Sequence, residues 1–209
     1  MGTRSITAVV HDGKIKISQY GQWDGYYDYT GKGVLQFCRE YLKDDYSRGK
    51  FTESVNLCKQ VTKSFDETMR TIEKRLSREN DKEFCVPLNQ LFPQMSRDTG
   101  FKILEIIYNL EPYMFKSVKD EKTEEIKRVQ FYPIQLCLNT DGEEYTNVID
   151  LDNNMVYLLT CHDFKGEALS TIDLIQNTYK RQKCYLKFSL DNIPDEDTVD
   201  HQVEALEIE

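Results

Sequence analysis

The sequence predicts an α+β fold in which an antiparallel sheet, formed by hairpins from the N- and C-terminal parts of the chain, is covered on one face by helices. Three observations carry that expectation: a β-branched pair of segments joined by Asp12-Gly13, a second strand pair around Asp152 to Asn154, and helical periodicity between them. A length of 209 residues suits one domain with a short appendage and is enough to bury a core.

SITAVV at 5–10 and KIKISQY at 14–20 read as strands, the second alternating Ile15 and Ile17 with Lys14 and Lys16. Asp-Gly between them supplies the positive φ angles of a type I′ turn, whose twist matches the flanking strands. Val34, Leu35, Cys38, Tyr41 and Leu42 then recur at helical spacing, with Thr30 or Gly31 marking the start. DDYSRGK reads as a break. From Phe51 to about Ser77, apolar residues every three or four positions, uninterrupted by Pro or Gly, predict one long amphipathic helix. Pro87 and Pro93 bracket an irregular connection, and a helix from about Asp98 to Leu110, ended by Pro112, should be the most buried.

Residues 116–128 alternate in charge sign as an exposed excursion would. VQFYPIQLCLNT reads as a strand bent or held at an edge by Pro133. Tyr145 to Leu151 and Met155 to Cys161 form the second hairpin, a short helix is expected near Ser170 to Asn177, and a last strand runs over Cys184 to Leu190.

The formal charge of −9 is local: residues 191–209 hold eight acids and no Lys or Arg, leaving 28 acids against 27 bases elsewhere. Residues 1–190 are therefore read as a single α+β domain and 191–209 as an acidic C-terminal tail, solvated and partly disordered. The apolar run Ile6 to Val10 is too short for a signal peptide, and no run reaches membrane-spanning length, so the expected compartment is the cytoplasm. Gly2 invites an acylation reading, but Ile6 stands where that pattern takes Ser or Thr. The six cysteines are widely spread without a C-x-x-C pair, which points to free thiols in a reducing compartment.

GQWDGYYDYTGKG at 21–33 concentrates the only Trp, three Tyr, two Asp and four Gly in a segment that reads as loop. It is not a phosphate cradle: five residues separate Gly25 from Gly31, Gly33 replaces the Mg²⁺-binding hydroxyl, and three tyrosines obstruct close backbone approach. One reading folds Trp23, Tyr26 and Tyr29 back over the sheet edge, each indole or hydroxyl on a backbone partner. Others make the rings a stacking platform for a sugar, base or quaternary amine, or anchors of a protein-binding surface. Arg4, Gln22, Trp23, Asp24 and Tyr26 are the candidate binding residues of this corner, with Arg4 and Asp24 placed to form an ion pair across the hairpin base.

Other chemistries fit less well. Asp150, Asp152 and Asn154 match the first calcium-loop ligands, but Met155 and Cys161 occupy the positions of its Gly and Glu, so a hairpin turn is expected. Cys161-His162 are strand neighbours facing opposite ways, and a Cys161 or Cys38 nucleophile would need a partner from elsewhere. Only His11, His162 and His201 exist, so neither a metal site nor a cofactor is called for. An N-terminal nucleophile would require the chain to be processed to Thr3 or Ser5. Lys180, Arg181 and Lys183 are the only compact basic run, which argues against nucleic acid.

MGTRSITAVV, QYGQWDGY, RDTGFKILE and YTNVIDLDNNMVYLL together resemble a family of uncharacterised proteins common in phages and bacterial mobile elements. Its members open with a similar M-G-T-R-S strand and carry a W-D-G-Y-P loop; Tyr27 stands here where that family usually has Pro. The resemblance covers both hairpins and one helix and implies no catalytic residue. By analogy with small phage proteins that lack a catalytic constellation, it implies an inhibitor of a host defence system, anti-CRISPR proteins among them, acting in the host cytosol. The expected function is non-enzymatic binding of a host protein. The alternative is an N-terminal-nucleophile hydrolase, or a small-ligand binder using a pocket beside the Trp23 loop.

Overall fold

β1 (Ser5–His11) and β2 (Lys14–Gly21) pair around Asp12 and Gly13, whose φ angles of 54° and 62° are the left-handed values of the expected turn. The computed structural model describes residues 2–61, 99–110, 114–119, 124, 126–131, 135–137 and 144–208. The register steps from Val9 opposite Ile17 to Val10 opposite Ile15, so Lys16 forms a bulge. After the aromatic loop come α1 (Lys32–Tyr41) and α2 (Asp45–Leu57).

Two helical expectations change here. DDYSRGK opens α2 instead of breaking the chain: Asp44 caps it by accepting from Ser47 N at 2.8 Å, and Gly49 is tolerated on its exposed face. The expected long helix ends at Leu57, and β3 (Lys59–Val61) follows; the stretch from 62 to Ser77 lies outside the described residues, as do Pro87 and Pro93.

A 3₁₀ turn over Gly100–Lys102 leads into α3 (Ile103–Tyr108), with Ile103, Leu104 and Ile107 fully buried as expected. β4 (Met114–Lys119) and β5 (Ile126–Phe131) pair antiparallel, so residues 116–119 and 126–128 of the charge-alternating stretch are strand. β6 (Gln135–Cys137) lies parallel to β3, and Pro133 falls outside the described residues. β7 (Tyr145–Asp150) and β8 (Met155–Thr160) make the second hairpin, followed by α4 (Asp173–Thr178), β9 (Lys183–Ser189) and α5 (Glu196–Leu206).

The main sheet has the order β2-β1-β7-β8-β9, an α+β arrangement that is mostly antiparallel. The two hairpins join through a parallel β1–β7 pair, Ser5 opposite Tyr145 through Val10 opposite Asp150. Parallel neighbours need a long crossover, which the helical middle of the chain supplies. Cover also differs from expectation. Val9, Ile17, Ile149, Val156 and Leu158 pack under Leu35, Phe51, Ile103, Leu104 and Val199 of α1, α2, α3 and α5. Ile6, Ala8, Val10, Val148 and Leu159 face the other way, against Ile175 of α4 and Tyr179. Strands buried on both faces lose the polar alternation of a half-exposed sheet, which is why SITAVV is apolar almost throughout.

Both hairpin turns are tied together. Asp150 accepts from Asp152 N and Asn153 N at 3.1 Å each, and Asp152 accepts from Gly13 N at 2.8 Å, Asp12 N at 2.9 Å and His11 Nδ1 at 3.1 Å. The carboxylates that resembled calcium ligands are thus turn-forming groups.

The acidic end is not a solvated tail. Asp195 caps α5 by accepting from Thr198 N at 2.8 Å, and Val199 is fully buried in the core. Arg39 Nε donates to Pro194 O at 2.8 Å, Lys165 N to Leu206 O at 2.7 Å, Tyr27 Oη to Asp200 Oδ1 at 2.8 Å, and Lys32 Nζ to Asp200 Oδ2 at 2.7 Å. An amphipathic pattern, Val199, Val203 and Leu206, turned one face of a charged segment inward.

Candidate binding cleft at the aromatic corner

The corner is built by close backbone contact. Gly25 N donates to Thr3 O at 3.0 Å, and a Cβ at Gly25 would fall 2.7 Å from Arg4 C and 2.8 Å from Arg4 O. Only glycine permits that approach. The chain then makes one π turn over Tyr27–Gly31, in which Thr30 N reaches Tyr26 O at 3.0 Å and Thr30 Oγ1 donates to Asp24 O at 2.8 Å. Such turns recur at functional sites.

The turn sorts the rings differently from the expectation that Trp23, Tyr26 and Tyr29 fold back on the sheet. Tyr27 is the buried ring, and burial, followed by its bond to Asp200, pushes its hydroxyl pKa strongly up. Trp23, Tyr26 and Tyr29 stay at the surface with 62%, 40% and 44% of their area exposed. Tyr29 stands edge-on to Phe101, with centroids 5.4 Å apart at 76°. The physical reason is room: the position beneath the turn is filled by one ring, and Tyr27 is the one whose hydroxyl meets a carboxylate from α5.

Beside these rings lies a cleft of about 310 Å³, walled by Trp23, Asp24 and Tyr29 on one side and by Thr99, Gly100, Phe101 and Lys102 on the other. Ser5, Gly21 and Thr30 also line it. Ser5 and Gly21 face each other in register, and a Cβ at Gly21 would fall 3.0 Å from Ser5 Oγ and 3.3 Å from Gly100 Cα, so glycine lets these groups close together at the cleft floor. Ser5 Oγ is buried and has no hydrogen-bond partner among the described residues; Thr7 Oγ1 and Asn147 Nδ2, neighbours across the β1–β7 pairing, share that state. A buried hydroxyl without a partner is unusual enough to require a reason.

Trp23 and Asp24 line the cleft, and Tyr26 adjoins it with Oη 3.4 Å from Asp24 Oδ1. Gln22 sits one residue outside, accepting from Tyr20 Oη at 2.6 Å. Arg4 meets the corner through its backbone, which contacts Gly25 and bonds Glu144 and Tyr145. Among the described residues no ion pair joins Arg4 to Asp24, because Gly25 is drawn against the Arg4 carbonyl while both charged side chains remain exposed. Sequence reading missed Thr99, Phe101 and Lys102. Their only signal was that RDTGFKILE belongs to the resemblance, and three of its four segments meet at this cleft.

The remaining candidates stay apart. Cys161 is exposed, while His162 Nε2 lies 3.5 Å from Glu144 Oε2 and its ring packs on Tyr145 at 5.4 Å. Burial first, then Glu144, raises the Cys161 thiol pKa, the opposite of activation. Cys38 is buried with its pKa pushed strongly up by desolvation; like Cys58, Cys161 and Cys184, it is a free thiol. Lys183 is engaged by Asp163 at 3.1 Å. Among the described residues no three His, Cys, Asp or Glu side chains converge as metal ligands, and no helix is long and apolar enough to cross a membrane. Comparison with known proteins gives no match: no family model, curated protein or solved structure is significantly similar to the chain.

Proposed function

We propose that this protein is a non-enzymatic binding module, a phage-type accessory protein that inhibits a host defence system by occupying the surface of a host protein. Trp23 at the aromatic corner makes the central contact. The observation that carries this reading is the exposure of the single Trp, 62%, on a corner fixed by Gly25, the π turn and buried Tyr27. A large ring held at the surface by ordered backbone loses little entropy on docking, which is why Trp and Tyr dominate interface energetics. The meeting of three resemblance segments at the corner agrees with this.

An affinity capture from host lysate tests it, comparing wild type with Trp23→Ala and, as a surface control, Tyr46→Ala, whose ring is exposed elsewhere. Trp23→Ala should lose a protein that the control retains; equal capture by all three overturns the reading. The cleft favours a second reading, a small-ligand binder, since about 310 Å³ sits at the lower end of ligand-pocket volumes. A small-molecule metabolite retained by wild type and released by Trp23→Ala, with no protein captured, would decide for it.

A further inference from the structure

The corner alternates rings with carboxylates: Trp23, Asp24, Tyr26, Asp28 and Tyr29. Asp28 has a partner in Lys32 at 3.5 Å, and Lys32 is shared with Asp200 and Glu196. Asp24 differs. Among the described residues its carboxylate has one side-chain partner, the Tyr26 hydroxyl at 3.4 Å, and no cation within ion-pair distance. Asp24, then partial burial, and Asp28 hold the Tyr26 hydroxyl pKa up, so carboxylates set the local field. The cleft floor adds the buried, unpartnered Ser5 Oγ.

We propose that the cleft receives an arginine side chain of the partner protein, its guanidinium stacked on Trp23 and donating N–H groups to the Asp24 carboxylate and Ser5 Oγ. This rests on the reading of the corner as a protein-docking surface. A guanidinium suits the lining better than an ammonium: it is planar, stacks on an indole face, and directs several donors at once. A partner's carboxylate would meet Asp24 at like charge, and an aliphatic side chain would leave Ser5 Oγ unsatisfied. Lys102 on the opposite wall and Arg4 behind Gly25 are the cations of the neighbourhood; both are exposed, and Lys102 opposes the incoming charge.

The chain carries its own probe, since Trp23 is its only tryptophan. Trp23 fluorescence of the full chain is titrated with acetyl-Gly-Arg-Gly-amide, with the uncharged citrulline analogue, and with the Glu analogue. The Arg peptide should give a saturable change with a Kd below about 10 mM, and the citrulline peptide should bind roughly tenfold more weakly. Asp24→Asn should weaken the Arg peptide about tenfold, Ser5→Ala about threefold, and Lys102→Gln should tighten it several-fold. Asn tolerates the φ of +53° at Asp24, and circular dichroism confirms that the variants fold. Equal binding of Arg and Glu peptides, an unchanged Kd in Asp24→Asn, or no saturable response to the Arg peptide overturns the arginine assignment. The docking reading stands or falls separately, on whether Trp23→Ala loses the captured protein.

Discussion

Replacing Asp200 with Asn should loosen α5 from the body while leaving the sheet intact. Asp200 joins the two through Tyr27 Oη at 2.8 Å and Lys32 Nζ at 2.7 Å, with Lys32 and Asp200 side chains 25% and 31% exposed. Asn keeps an acceptor for Tyr27 but loses the charge that holds Lys32. Removing one partner of a fully buried pair costs about 3–5 kcal/mol, and an exposed pair is worth about 0–1 kcal/mol. For this half-buried site we expect about 1–2 kcal/mol, or roughly 2–8 °C in Tm for a chain of this size. Urea denaturation followed by circular dichroism gives the total. Hydrogen exchange should show α5 amides losing protection before those of β1 and β7.

The pH dependence adds a second readout. The hydrogen bond from Lys32 holds the Asp200 carboxyl below its ordinary value, against an opposing effect of burial and with help from Tyr27. A depressed folded pKa stabilises fully above the unfolded value of about 4 and is lost as pH falls through the folded value. Wild type should therefore shed stability in acid more steeply than Asp200→Asn. If the variant matches wild type in urea, in α5 protection and in its acid slope, the polar contacts do not hold α5 and burial of Val199 does.

Asp152→Ala should cost about 1–2 kcal/mol in urea denaturation, because it strips a shared acceptor from Asp12 N, Gly13 N and His11. Burial alone would raise the Asp152 carboxyl, but the bonds from Gly13, Asp12 and His11 together lower it; this contribution is likewise present above about pH 4 and lost below. Gly25→Ala should cost about 1–3 kcal/mol and shift Trp23 emission, since its Cβ would fall 2.7 Å from Arg4 C; wild-type stability with unchanged emission would refute the close approach. Under a thiol reagent with peptide mapping, exposed Cys161 should react well before buried Cys38, Cys58 and Cys184, whose thiols burial makes harder to ionise. Faster labelling of Cys38 would contradict its placement on the buried face of α1.

What the sequence by itself determined was local. Asp12-Gly13 and Asp152 to Asn154 dictated two turns, because left-handed φ and side-chain to backbone bonds act within a few residues. The spacing of Val34, Leu35 and Cys38 likewise announced which face of α1 would be buried. DDYSRGK misled for a tertiary reason: its Asp and Gly suggest a break, yet burial of Phe51 and Val55 and the Asp44 cap outweigh the helix cost of Gly49. The acidic end was misread in the same way, its charge count obscuring the apolar stripe through Val199 that docks it.

Only the tertiary structure decided which rings of GQWDGYYDYTGKG face water. Nothing within the loop separates Tyr27 from Tyr26 or Trp23; the distinction comes from Asp200, far along the chain, which gives one hydroxyl a carboxylate partner. The cleft depends equally on distance, because Ser5 and Gly21 form its floor only when Thr99 to Lys102 arrive from beyond α2 to form the far wall. Turn and helix preferences are set by neighbours along the chain. The exposure of a loop ring and the space beside it are set by whatever the rest of the fold brings against them.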